Sequence, residues 1–185
     1  MINKKNSFYF VIGLILIASF SRIIPHYPNF TPIIAISLFG GKYFENRTLA
    51  FFLPVFILWL SDLVINNFIL DYYKTFTFIY PGFYWQYFSI LLISFIGRNY
   101  INKISTSKLL GISISSSLVF FVISNFGVFV KSPIYPKDLN GLLLCYTAAI
   151  PFFWGTLSSS IIYTFSLFGI YKFIYLNKLK LHKNY

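Results

Sequence analysis

Long apolar runs separated by short polar gaps divide the chain into six segments, at about residues 7–24, 30–44, 48–70, 78–99, 107–130 and 153–176. A helix crossing the hydrocarbon core of a bilayer needs about 20 mostly apolar residues, with roughly 17 to 25 tolerated. The pattern therefore predicts an all-α integral membrane protein, a single domain of six transmembrane helices over residues 1–185. The second segment is short and reads as tilted or partly re-entrant. Pro54 falls inside the third, where a membrane helix tolerates proline if its neighbours satisfy the freed backbone groups. The first run follows Lys4 and Lys5 as a signal peptide would, yet it lacks a small-x-small cleavage site and continues to Ile24. It reads as an uncleaved span.

The link between the last two segments, 131–151, is the only long one. It reads KSPIYPKDLNGLLLCYTAAIP, with Pro133 and Pro136 ahead of an apolar stretch at 141–150. That stretch is too short to span, which predicts an interfacial or re-entrant lid on the outer face.

Composition agrees with this pattern. The chain is 57% hydrophobic and 10% charged, against about 25% charged residues in a soluble domain. A net charge of +11 is of the kind that draws a protein to nucleic acid, but the cations sit in the gaps between apolar runs and at the two ends. With the N-terminus in the cytoplasm, eleven cations fall inside and four (Arg22, Lys74, Lys131 and Lys137) outside, together the 15 present. This bias is the positive-inside pattern of a multi-pass membrane protein with both ends cytoplasmic. The bilayer is thus the expected partner, and nucleic acid is not.

The same topology sends most of the polar residues to one leaflet. Arg22 ends the first span on the outer side. Asp62, Asn66 and Asn67 lie in the outer half of the third, Tyr84–Trp85–Gln86 at the start of the fourth and Ser124–Asn125 near the end of the fifth. Trp154, Thr156 and Ser158 to Ser160 fall in the first turns of the sixth. Polar groups are costly beside lipid unless protein or water receives them, so this convergence predicts a polar cavity in the outer leaflet. The serines at 113–117 and 158–160, with Gly40 and Gly41, read as sites of close helix approach.

Asp62 is the only acid within a predicted span. One reading is a structural pair with Arg22; another is a direct ligand or ion contact, and a pair can itself line a pocket. A proton relay would want a chain of titratable groups, which the sequence lacks. His26, between Pro25 and Pro28, reads first as a loop histidine packed on Tyr27 or a backbone carbonyl, and otherwise as a metal ligand or pH-sensitive donor. Cys145 reads as a small hydrophobe, with soft metal ligation as the alternative. With four acids and two histidines in the chain, and no phosphate-binding glycine loop, HExxH or paired catalytic carboxylates, no enzyme activity and no cofactor are expected.

The run SRIIPHYPNFTPIIAISLFGGKYF, the Ser61–Asp62–Leu63 step and SNFGVFV…YPKDLNGLLLCYTAAIPFFWGTL…YTFSLFG resemble a family of small bacterial inner-membrane proteins that carries a transport label without an assigned function. That family is in turn similar to the S components of energy-coupling-factor vitamin transporters. The resemblance covers about residues 18–170 and implies a six-helix bundle with a vitamin-sized site in the outer leaflet under connecting loops. The first span holds Gly13 and Ala18 where S components often carry an alanine-x-x-x-alanine docking pair, and Ser160 stands where relatives are expected to have an acid near the start of the last helix. The candidate substrate-binding residues are Arg22, His26, Asn29, Asp62, Gln86, Asn125 and Tyr146.

Two functions fit this reading. The first is a membrane transport protein that binds a small vitamin-like or polar solute for uptake, with an energy-coupling or other membrane subunit as partner. The second is a non-catalytic structural subunit of a larger inner-membrane complex, whose outer polar groups satisfy one another or meet a partner helix.

Overall fold

The computed structural model describes residues 4–70 and 73–176. Lys178, Lys180 and Lys183, three of the cations assigned to the inner side, lie outside the described residues. Among the described residues the chain forms six α-helices: α1 (Lys4–Phe20), α2 (Ile33–Tyr43), α3 (Arg47–Val64), α4 (Phe83–Tyr100), α5 (Thr106–Lys131) and α6 (Leu139–Ile170). Single π-helical turns, Ile65–Ile69 and Tyr171–Leu176, extend α3 and α6.

Short polar side chains set three of the helix starts. Asn46 accepts from the Leu49 N–H, Ser105 from the Lys108 N–H and Asp138 from the Gly141 N–H, each satisfying a donor that the first turn leaves unpaired. Three helices, Arg47–Ile69, Thr106–Lys131 and Leu139–Ile174, are long and apolar enough to cross a membrane. Large apolar side chains such as Ile17, Phe68 and Trp154 are exposed.

The short second segment sits at the centre of the bundle. Every residue from Ile33 to Gly41 is buried, and α2 packs against each of the other five helices. At about 1.5 Å per residue, its 11 residues cover roughly 16 Å, well under a hydrocarbon core of about 30 Å. Protein on all sides explains its almost wholly apolar sequence. Small residues let α4 approach it closely: a β-carbon on Gly97 would collide with the Leu38 backbone, and one on Gly41 with Ser94. The serines of α5 and α6 do the same at their crossing. Ser113, Ser116, Ser117, Ser159 and Ser160 are all buried there, with Ser160 donating to the Ser113 carbonyl at 3.2 Å.

The link after α5 differs from the sequence expectation. The 141–150 stretch is not a separate interfacial or re-entrant lid; it forms the opening turns of α6, a continuous helix of 32 residues. Asp138 caps it, and Pro151 is accommodated within the helix. The apolar stretch could not span alone, but nothing in it breaks a helix, so it joins the span that follows. Only residues 132–138 remain as a loop.

Candidate functional site

The segment joining α1 to α2 brings Arg22 over α3. After Phe20 the chain makes one further turn, with the N–H groups of Ser21, Arg22 and Ile23 bonded to the carbonyls of Ala18, Ser19 and Phe20. Pro25, Pro28 and Pro32 then stiffen the path. Asn29 takes a left-handed backbone (φ 60°), a conformation that asparagine adopts more readily than most residues. The Asn29 carbonyl accepts from the Thr31 N–H at 3.0 Å, which starts the turn into α2. Gly155 on α6 lets the Pro28 carbonyl rest against the helix; a β-carbon there would strike it.

The Arg22 guanidinium then meets the end of α3. Nη2 donates to Asp62 Oδ1 at 2.5 Å, and Nη1 donates to Ser61 Oγ at 2.6 Å and to the Leu58 carbonyl at 3.2 Å. The ion pair is largely buried, each side chain about 12% exposed. Tyr80 and Tyr87 stand near the same carboxylate. A buried charge persists only when paired and hydrogen-bonded, and both partners here come from helix ends that face each other.

Beside this pair lies a cavity of about 210 Å³ to which all six helices or their flanking turns contribute. Its polar wall consists of Arg22, Asn29, Thr31, Gln86, Ser124, Asn125 and Thr156. Its apolar wall is dominated by four phenylalanines, Phe120, Phe121, Phe152 and Phe153. Ser124 and Asn125 donate to the Phe120 and Phe121 carbonyls one turn back, which leaves the oxygens of both side chains to accept from a guest. Among the described residues the Gln86 carboxamide makes no hydrogen bond within the chain, so it can both donate and accept.

Of the sequence candidates, the structure brings together Arg22, Asn29, Gln86 and Asn125 at this cavity. Asp62 stands behind Arg22 and orients it without lining the space. His26 lies outside on the exposed loop, its ring nitrogens 2.9 Å from the Tyr27 carbonyl and 3.3 Å from the Arg22 carbonyl, as a loop histidine would. Tyr146 also lies outside, its hydroxyl donating to the Val122 carbonyl at 2.6 Å. Both residues belong to the frame: His26 ties the loop to itself, and Tyr146 ties α6 to α5. Cys145 performs a similar task, its Sγ 3.5 Å from the Asn125 carbonyl. The four phenylalanines were missed because an apolar sequence with 24 of them gives no sign of which face inward.

A family model described as a family of unknown function, DUF6580, matches residues 2–182. The chain belongs to that family. The match takes in all six helices and every residue around the cavity. No curated protein and no solved structure matches the chain. The function of that family is not known, so the reading of this member rests on the cavity.

Proposed function

We propose that this protein binds a small solute in the cavity between its helices, as a membrane transport protein of the bacterial inner membrane. The observation that carries the reading is the composition of the cavity wall: a tethered guanidinium and free amide and hydroxyl oxygens on one side, phenylalanine rings on the other. A few convergent polar groups in an otherwise apolar pocket are what small-molecule sites consist of. Because Asp62 neutralises Arg22, the wall presents a directed donor more than a net charge. A volume of about 210 Å³ falls below the usual range of about 300–1,000 Å³, which favours a compact solute with one polar edge and one flat apolar face.

In this reading all six helices form the membrane domain, with the shorter α1, α2 and α4 completing the bundle around the three long helices. The cavity faces the outer side, and the chain takes part in uptake as an S component does, with an energy-coupling subunit as partner. The test is native mass spectrometry of the detergent-purified protein. A small adduct carried through from the cell, and reduced in Gln86→Ala with the fold intact, is the expected result. An empty protein that stays empty when offered cell extract overturns the reading. Stoichiometric co-purification with a fixed membrane subunit, again with an empty cavity, points instead to a structural role.

A further inference from the structure

A second chamber, of about 310 Å³, lies between the start of α4 and the end of α5. It shares Gln86, Ser124 and Val128 with the first cavity, so these three side chains form a partition with a chamber on each side. The second chamber differs in its chemistry. Its wall holds two buried polar atoms that have no hydrogen-bond partner among the described residues, the Tyr80 hydroxyl and the Trp85 indole N–H. A buried donor left unpaired costs about 1–3 kcal/mol, and an indole N–H can only donate. Both atoms are occluded as the side chains stand, so an acceptor in the chamber pairs with them once the side chains turn toward it.

Charge points the same way. Lys131, in the last turn of α5, lines this chamber and makes no ion pair among the described residues. Its ammonium lies 5.8 Å from the centre of the Tyr84 ring, at the chamber's edge. Gly82 starts α4 without a side-chain cap, and the first turn of a helix carries partial positive charge. Among the described residues, the acid that acts on Tyr80, Asp62, is committed to Arg22.

We propose that this chamber is the entrance to the inner cavity and admits solutes by an anionic, acceptor-rich end such as a carboxylate. The inference rests on the binding role of the inner cavity and adds to it a route and a substrate class. The anionic end is received by Trp85, Tyr80 and Lys131, and the rest of the solute passes the partition of Gln86, Ser124 and Val128 toward the phenylalanine wall. A small amphipathic organic anion, polar at one end and flat and apolar at the other, fits both chambers together.

The test measures access, using thiol reagents of opposite charge as the probes. In the full-length protein with Cys145→Ala as background, Ser124→Cys places one thiol on the partition. Its labelling rates with a sulfonate-bearing and a trimethylammonium-bearing methanethiosulfonate are each divided by the same reagent's rate on a free thiol in solution. The expected result is a preference of about tenfold or more for the anionic reagent, of the size that focused charge produces, falling toward one in Lys131→Gln. Val128→Trp, which narrows the partition, should slow both reagents.

A cysteine that labels only after denaturation overturns the entrance. A preference for the cationic reagent, or one unchanged by Lys131→Gln, overturns the anion selectivity. Labelling reads passage and not retention, so a protein that labels as expected yet retains no solute in native mass spectrometry defeats the binding reading and leaves the route in place.

Discussion

Arg22 and Asp62 stand 2.5 Å apart, joining the end of α1 to the end of α3 at the edge of the cavity. The pair accounts for the two most conspicuous charges in an apolar chain with one arrangement. It also divides their labour: Arg22 lines the cavity and Asp62 does not.

Removing one partner should therefore hurt more than removing both. Asp62→Ala leaves a buried guanidinium uncompensated and is expected to cost about 3–5 kcal/mol, read as a large drop in thermal midpoint in detergent. The double variant Arg22→Met with Asp62→Leu should recover most of that loss, while a solute that contacts Arg22 is no longer held. Equal losses in the single and double variants would contradict the pairing.

Gln86 offers a cleaner test of binding, because its carboxamide holds nothing else in place. Gln86→Ala should leave the thermal midpoint nearly unchanged. One lost hydrogen bond of about 0.5–1.5 kcal/mol corresponds to roughly two- to tenfold weaker solute binding. Titration calorimetry on the purified protein, with the solute found by mass spectrometry, would measure it.

Asn29 should separate backbone from side chain. With φ at 60°, Asn29→Gly keeps the turn, whereas Asn29→Val forces a β-branched residue into the left-handed region at a cost of about 1–3 kcal/mol. Thermal midpoints should fall for valine and not for glycine. If Asn29→Gly keeps the parent's thermal midpoint yet weakens binding, the amide and not the turn is what the solute meets.

The close crossing of α2 and α4 predicts an asymmetry among glycines. Gly97→Val drives a side chain into the Leu38 backbone and should cost at least the 1–3 kcal/mol of an overpacked core, seen as poor accumulation in the membrane. Gly13→Ala meets nothing within 4 Å and should lie within about 0.5 kcal/mol of the parent.

Much of this arrangement was legible in the sequence. Apolar run length found all six helices, and the scarcity of acids singled out Asp62 and its partner. The depth of Arg22, Gln86 and Asn125 placed them in one leaflet without any contact being known. Other features were not legible, for physical reasons. Hydropathy measures how apolar a segment is and not what surrounds it, so α2 reads like a lipid-facing span although protein encloses it. The 141–150 stretch looked separate because it is too short to span alone, whereas it runs through Pro151 into one continuous helix. His26 and Tyr146 carry the right chemistry for a site, and only the bonds they make to backbone carbonyls show that they brace it.

The continuity of α6 has a mechanical consequence. Its 12 residues ahead of Pro151 form an arm of roughly 18 Å at about 1.5 Å per residue, and helices bend most readily at proline. A bend of about 10° there would carry the tip of the arm some 3 Å. Tyr146 and Cys145 bond that arm to the Val122 and Asn125 carbonyls of α5, on either side of Ser124. Any swing of the arm is therefore felt as a pull on the strip of α5 that divides the two chambers, as a handle moves the door to which it is fixed.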